Sequence, residues 1–155
     1  MDCLMSAVKY ISWDPGGSAT ARTTGIALWD PDAELIDMKS LNEEEFDKQI
    51  ESIPETVEVF ILEKYVPFGH INHTGNKLTT AQRIGDIKGY ARRHKIEIVE
   101  QRSDILTIAA MWAQYKIPRN RKGEKQHIPD YWSAYLHGYY YLFNKGLIKP
   151  KVLDK

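Results

Sequence analysis

The order of strand-length and helix-length segments is the feature that most constrains what this chain can fold into. Five runs have the length and composition of strands: 8–13, 23–29, 34–38, 57–62 and 95–100. Only loops and turn signals separate the first three, which indicates an antiparallel meander. Helices separate the last three, and such crossovers indicate parallel neighbours. The sequence therefore predicts an α/β protein with a five-stranded mixed sheet, three antiparallel strands followed by two parallel strands, flanked by helices.

The helices predicted around these strands have recognisable start signals. Asn42 opens a capping-box pattern for an acidic helix that runs to about residue 53. Apolar residues at spacings of three and four predict an amphipathic helix over 79–94. Ser103 is placed to cap a helix that reaches about residue 115. Pro129 lies where the first turn of a closing helix tolerates proline.

Length and composition limit the class of protein. The 155 residues predict one domain over 1–155, and 43% of them are apolar. Cys3 is the only cysteine, which excludes a disulfide or a zinc finger and fits a reducing cytoplasm. The longest apolar runs fall far short of the ~18 residues that a membrane span requires, and no basic segment precedes an apolar core at the N-terminus. We expect a cytoplasmic protein with no membrane partner.

The charge is unevenly distributed although its formal sum is zero. Residues 41–58 carry seven acids and one base, whereas residues 59–126 carry thirteen bases and six acids. One face could therefore attract a polyanion while another repels it. Two solvated helix faces of opposite sign would give the same pattern.

Acidic residues follow two of the predicted strands. Asp14 ends the first strand and Glu63 ends the fourth, and adjacent strands lie about 4.8 Å apart, so both carboxylates would project into one crevice. His127 and Asp130, at the start of the closing helix, could complete the site from a third side. Such a group suits Mg²⁺, and paired metals often serve phosphodiester hydrolysis. Acids also end strands simply to reach solvent.

Four segments in register resemble the RuvC-like Holliday junction resolvases of the RNase H-like superfamily, which include phage-encoded members. Asp14-Pro15-Gly16 followed by Thr24-Gly25-Ile26-Ala27 is similar to the opening of that family. Phe60-Ile61-Leu62-Glu63 resembles the strand that bears its second acid. Gly85-Asp86-Ile87-Lys88-Gly89 is similar to its glycine-bearing helix, and His127-Ile128-Pro129-Asp130 resembles its closing pair.

The resemblance implies a homodimeric, Mg²⁺-dependent endonuclease with an RNase H-like fold that nicks symmetry-related strands of a four-way DNA junction. It assigns metal ligation and catalysis to Asp14, Glu63 and Asp130, with His127 as a further ligand or as the activator of the attacking water. Two Mg²⁺ ions per site are expected, with Mn²⁺ as a substitute, and no organic cofactor is implied.

Contacts to branched DNA are expected from bases and aromatic residues outside the acidic group. Those proposed are Lys122, Lys125, Arg121 and Arg119 in a basic loop, Arg92 and Arg93 for a junction arm, and Tyr65 and Phe68 for stacking on an unpaired base. The bases could instead be merely solvated, and the aromatic residues could be packed under their loop.

Two other functions remain open at this point. An RNase H-like nuclease acting on RNA, for example in ribosomal RNA processing, would share the first strand. A non-catalytic junction-binding protein would share the fold, but carboxylates that repel phosphate would not serve it.

Overall fold

The computed structural model of the chain describes residues 7–16, 23–64, 75–124 and 128–148, with the side chains of 75–79 excepted. The strands are β1 (Tyr10–Asp14), β2 (Thr24–Trp29), β3 (Leu35–Leu41), β4 (Val59–Glu63) and β5 (Glu97–Gln101). The helices are α1 (Glu43–Glu51), α2 (Gly75–Arg93), α3 (Leu106–Ala113) and α4 (Asp130–Asn144). Among the described residues, none of these helices combines the length and the apolar character that crossing a bilayer requires.

The five strands form one mixed sheet in the order β3-β2-β1-β4-β5. β2 is antiparallel to both β1 and β3, whereas β4 is parallel to both β1 and β5. The predicted α/β class and sheet, three antiparallel strands and then two parallel ones, are confirmed. The carboxyl ends of β1, β4 and β5 therefore meet at one edge of the sheet, which is where acids at strand ends can converge.

Two local signals in the sequence are confirmed. The Asp30 side chain accepts hydrogen bonds from the amides of Asp32 (2.8 Å) and Glu34 (2.9 Å) and so closes the β2–β3 hairpin. At the start of α1, the amide of Glu45 donates to the Asn42 side chain (2.8 Å), and the Glu45 carboxylate accepts from the Asn42 amide (2.9 Å). Each motif needs only residues within four positions, so local sequence suffices to specify it.

The start of α3 differs from the prediction. Ser103 does not cap an α-helix but begins a 3₁₀ turn, Ser103–Ile105, which runs into α3. The turn closes through its backbone, since the Ile105 amide donates to the Arg102 carbonyl (3.3 Å), and no side-chain cap is present there. α2 also begins earlier than the predicted residue 79, at Gly75.

Helices cover both faces of the sheet, and successive side chains of β1 pack alternately in the two cores that result. Ile11 and Trp13 join the apolar core under α1 and α2. Tyr10 belongs to the core under α3 and α4. Because side chains alternate along a strand, Ser12 and Asp14 lie on the same face as Tyr10. Asp14 therefore points to the α4 side of the sheet.

Glycine allows α4 to lie very close to the sheet. A Cβ at Gly138 would lie 2.5 Å from Trp29 Nε1 and 2.6 Å from Ser12 Oγ, and these two groups form a 3.0 Å hydrogen bond with each other. A Cβ at Gly25, in β2, would overlap the backbone carbonyl of Asp130. The contact at Gly25 places the first turn of α4 above the end of β1 and the start of β2, and the contact at Gly138 holds the middle of the helix against the sheet.

Candidate active site

Asp14 is the last residue of β1 and is 9% exposed. Its Oδ1 accepts a 3.0 Å hydrogen bond from the amide of Gly16. Gly16 has φ +94°, a backbone conformation that favours glycine. The Asp-Pro-Gly turn thus folds back on the carboxylate and keeps it at the edge of the sheet.

Glu63 ends the neighbouring parallel strand. In the β1–β4 register Trp13 pairs with Leu62, so Asp14 and Glu63 are the next residues along their strands. Both side chains lie on the α4 face. Glu63 is two residues after Ile61, which packs in the core under α4, and residues two apart in a strand share a face. The two acids therefore lie side by side at the carboxyl ends of adjacent strands, as the sequence predicted.

Asp130 approaches the same edge as the first residue of α4. Its carboxylate accepts short hydrogen bonds from the hydroxyls of Thr23 and Ser40, one to each oxygen. Thr23 directly precedes β2, and Ser40 lies near the end of β3. Hydroxyls from two strands therefore orient the third acid.

The electrostatics of Asp14 show how close the three acids are. Burial, the largest cause, together with the charges of Glu63 and Asp130, raises the pKa of Asp14 from 3.8 to about 7. The Gly16 amide and Ser133 partly oppose this rise through hydrogen bonds. The carboxylate of Asp14 is therefore poorly solvated, and the negative charges of Glu63 and Asp130 lie close enough to repel it.

The chemistry of these donors suits a hard divalent cation, because all of them are carboxylate oxygens. In the part of the chain that the structure describes, no three Asp, Glu, His or Cys side chains are arranged to hold one ion. Both oxygens of Asp130 and one oxygen of Glu63 accept hydrogen bonds from protein groups. Metal binding would therefore require some carboxylate oxygens to exchange these partners for the ion.

One face of α4 supplies functional residues that were missed from the sequence. Asp130, Ser133 and His137 follow each other at spacings of three and four, so they lie on one side of the helix. Glu63 Oε1 accepts hydrogen bonds from Ser133 Oγ (3.1 Å) and His137 Nε2 (3.0 Å). Gln101, at the end of β5, contacts His137 in turn. The polar spacing behind Asp130 was the signal that could have revealed this face.

Arg83 is a second feature that periodicity did not reveal. It is buried in α2, and its Nη1 donates a 3.1 Å hydrogen bond to Thr24 Oγ1 at the start of β2. Burial lowers the pKa of Arg83, while the negative charges of Glu43, Asp47 and Asp130 oppose that change. A buried guanidinium thus lies within electrostatic range of one acid of the site.

Several predicted site residues lie outside the described residues. They are His127, Lys125, Tyr65 and Phe68. Their proposed roles therefore stay predictions.

The bases that precede α4 lie in an ordered turn. Asn120 Oδ1 accepts hydrogen bonds from the amides of Lys122 (2.9 Å) and Glu124 (3.0 Å). Arg119 Nη1 donates to the Gly123 carbonyl (2.7 Å), so this guanidinium folds back on the turn. Arg121 and Lys122 are exposed. The turn exposes these two side chains to solvent, nine and eight residues before Asp130.

Arg92 and Arg93 are not brought to the acids. They form the last turn of α2, which leads back to the start of β5. Glu97 at the start of β5 pairs with Val59 at the start of β4, whereas Glu63 is at the other end of that strand. Both arginines are exposed at the end of the sheet opposite to the acids.

The sheet order, its two helical layers and the acids at one edge define an α/β protein with the RNase H-like fold. Comparison with solved structures identifies a more particular likeness. RuvC of Thermus thermophilus in complex with a Holliday junction substrate superposes with a TM-score of 0.56 at 12% sequence identity, over 91% of this chain and 98% of that chain. A second Thermus thermophilus RuvC structure gives a TM-score of 0.48 at 11% identity, with the same coverage.

The first of these likenesses shows that the chain has the RuvC fold over nearly its whole length, as the sequence motifs suggested. No protein-family model matches the sequence, and no curated protein sequence matches it either.

Proposed function

We propose that the chain is a metal-dependent endonuclease that resolves four-way DNA junctions by paired hydrolysis of phosphodiesters. The observation that carries the proposal is the convergence of Asp14, Glu63 and Asp130 from three separate elements. Placing two carboxylates beside the buried carboxylate of Asp14 is costly for a protein without a cation to balance them, as the raised pKa of Asp14 indicates. The RuvC fold supports the same class of reaction, because the solved relative is bound to a Holliday junction.

Asp14, Glu63 and Asp130 are the described residues that would hold Mg²⁺, or Mn²⁺ in its place, and His127 remains a proposed fourth member. A bound divalent cation supplies polarisation of the phosphodiester and stabilises the charge that develops on the leaving oxygen. The chain itself supplies position: the Gly16 amide holds Asp14, and the hydroxyls of Thr23 and Ser40 hold Asp130 until the ion replaces at least one of them.

The partner and assembly follow from the proposed substrate. Two nicks at symmetry-related positions need two active sites, so we propose a homodimer, which light scattering after gel filtration would test. Branched DNA is the proposed ligand, and Arg121 and Lys122 are the described bases placed near the helix that carries Asp130. We propose a cytoplasmic location, where such DNA is found.

The test uses three labelled substrates: an immobile four-way junction, a linear duplex of the same sequence, and a structured RNA, each with Mg²⁺ or with EDTA. Wild type is expected to introduce paired nicks in the junction with Mg²⁺ alone. Asp14→Asn should lose at least a thousandfold in rate while still binding the junction, because it removes a proposed ligand. Asp32→Asn makes the same chemical change in the exposed β2–β3 turn and should leave cleavage unchanged.

Each alternative function has a distinct result in the same assay. Cleavage of the RNA without cleavage of the junction would assign the site to an RNA nuclease. A junction that is bound but stays intact with both Mg²⁺ and Mn²⁺ would indicate a non-catalytic binding protein. Equal loss of junction binding in Asp14→Asn would contradict the metal role of that residue.

A further inference from the structure

We propose that His137 and Gln101 are positioning residues that hold Glu63 Oε1 away from the metal and present Oε2 as its single ligand atom. The site would then favour a small octahedral cation such as Mg²⁺ over Ca²⁺. This inference rests on the proposed function, since it concerns the same metal site. It assigns a role to two residues that do not themselves bind the metal.

The hydrogen bonds around His137 define which of its nitrogens carries the proton. Gln101 Nε2 lies 3.0 Å from both His137 Nδ1 and the His137 carbonyl oxygen. A carbonyl can only accept, so the amide group of Gln101 faces His137 with its nitrogen, and that nitrogen can only donate. His137 Nδ1 is therefore an acceptor. The proton lies on Nε2, which donates to Glu63 Oε1 at 3.0 Å.

The second hydrogen bond to Glu63 completes the arrangement. Ser133 Oγ lies 3.1 Å from the same atom, Oε1, and shares its single proton between Glu63 and Asp14. Both donors near Glu63 therefore approach Oε1. Within the described residues, no hydrogen bond is formed to the other oxygen, Oε2, which we assign to the cation. Because the Glu63 side chain is 24% exposed, a cation can reach that oxygen from the solvent side.

The framework around these contacts is rigid. His137 is completely buried, and the neighbouring Gly138 lies against Trp29 and Ser12. Gln101 pairs with Glu63 in the β4–β5 register, so both residues belong to adjacent strands. Three elements, β4, β5 and α4, thus fix one carboxylate oxygen.

Coordination through a single oxygen of Glu63 would affect the relative affinity of the site for Mg²⁺ and Ca²⁺. Ca²⁺ takes six to eight oxygen ligands and often binds a carboxylate through both oxygens, whereas Mg²⁺ requires near-ideal octahedral geometry and binds carboxylates through one oxygen more readily. Donors that occupy Glu63 Oε1 therefore remove a ligand atom that Ca²⁺ would use. Loss of the His137 donor frees Oε1 and lets the Glu63 carboxylate rotate.

The first measurement is calorimetric titration of the metal-free full-length chain with Mg²⁺ alone and with Ca²⁺ alone. His137→Leu should weaken Mg²⁺ binding ten- to a hundredfold and lower the ratio of Mg²⁺ to Ca²⁺ affinity. His137→Gln retains a donor to Glu63 and should stay within about threefold of wild type, by the same scale of effects. His94→Leu, at an exposed histidine after α2, is the matched control and should change neither affinity.

Two further variants keep the test decisive if His137→Leu does not fold. Gln101→Met removes the donor to His137 Nδ1, and Ser133→Ala removes the second donor to Glu63; each should lower the ratio of Mg²⁺ to Ca²⁺ affinity at least threefold. Folded variants with unchanged affinities and an unchanged ratio would overturn the inference.

The second measurement does not involve a metal. Nitrogen-15 NMR of the metal-free protein should show the His137 proton that faces Glu63 on Nε2, and Gln101→Met should shift the Nδ1 resonance. An Nδ1-protonated ring would overturn the inference even if the protein cuts junctions. Selective Mg²⁺ binding that depends on His137, in a protein that leaves junctions intact, would support the inference and contradict the proposed function instead.

Discussion

Replacing Asp14 with asparagine is expected to stabilise the metal-free protein at neutral pH, although the same substitution should abolish cleavage. Asparagine has nearly the same shape, and its side-chain oxygen can still accept the hydrogen bond from the Gly16 amide. It lacks the charge that burial and the neighbouring acids Glu63 and Asp130 oppose. The substitution therefore removes a repulsion and leaves the local packing unchanged.

The raised pKa sets the size and the sign of this effect. Between pH 3.8 and about 7 the folded protein keeps a proton on Asp14 that the unfolded chain has lost, so the stability of wild type falls as the pH rises through this range. Each pKa unit corresponds to about 1.4 kcal/mol. The free energy of unfolding of Asp14→Asn should match that of wild type below pH 4 and exceed it by about 4 kcal/mol above pH 7.

Urea unfolding from pH 4 to pH 8 in EDTA would measure the difference. With a slope of about 2 kcal/mol per molar urea, the midpoint of Asp14→Asn should lie about 2 M above that of wild type at pH 8. Asp32→Asn, in the exposed turn, should show no such pH-dependent gain. Saturating Mg²⁺ should raise the stability of wild type, because a ligand that binds the folded state stabilises that state. The difference in urea midpoint between Asp14→Asn and wild type should then become smaller.

A stability difference that does not change between pH 4 and pH 8 would refute the reasoning. So would a variant that is less stable than wild type at pH 8. Either result would mean that the three carboxylates do not repel one another in the metal-free protein.

Three other outcomes test the fold and the DNA interface. Gly25→Ala should destabilise the protein by about 3 kcal/mol or more in urea unfolding, because its Cβ would overlap the Asp130 carbonyl; unchanged stability would place α4 farther from β2. Asn42→Ala should cost about 1 kcal/mol of stability and leave cleavage intact, since it removes only the cap of α1; a loss of activity would contradict this separation. Arg121→Ala combined with Lys122→Ala should weaken junction binding and reduce its salt dependence by nearly two released ions; an unchanged slope would exclude both as phosphate contacts.

The fold was predictable because its main signals are local or periodic. The Asp30 turn and the Asn42 capping box each lie within a few residues, and residues 59–62 form a continuous apolar run within the predicted strand 57–62. The crossover rule then fixes which strands are parallel. Ser103 shows where this reasoning fails: a residue suited to capping an α-helix is used in a 3₁₀ turn, whose closure depends on the backbone.

The site was predictable only in part. Asp14 and Glu63 follow strands, and Asp130 opens a helix, so their positions can be deduced from element ends. His137 was missed because aromatic residues dominate the pattern of α4, and the spacing of Asp130, Ser133 and His137 acquires a meaning only once Glu63 is placed beside them. Its partner Gln101 comes from β5, thirty-six residues earlier, and only the folded sheet brings the two together.

The buried Arg83 illustrates the same limit. The many charges of α2 predict that its arginines face solvent. Arg83 instead donates a hydrogen bond to Thr24 at the start of β2, and the acids of α1 lie nearby. Tertiary contacts of this kind decide the environment of a side chain without leaving a trace in local sequence. The assignment of 1–155 to one domain and the roles of His127, Lys125, Tyr65 and Phe68 remain predictions.

The close contact of α4 with the sheet links folding to chemistry. Asp130, Ser133 and His137 lie on the same helix that is anchored by Gly138 against Trp29. If α4 lifts away, the acid, the hydroxyl and the imidazole all leave together, and Glu63 loses both of its donors at once. Under the proposed function, a partly folded molecule that retains its five strands would therefore lack both the metal site and the nuclease activity. The proposed activity would thus be confined to molecules in which α4 is packed on the sheet.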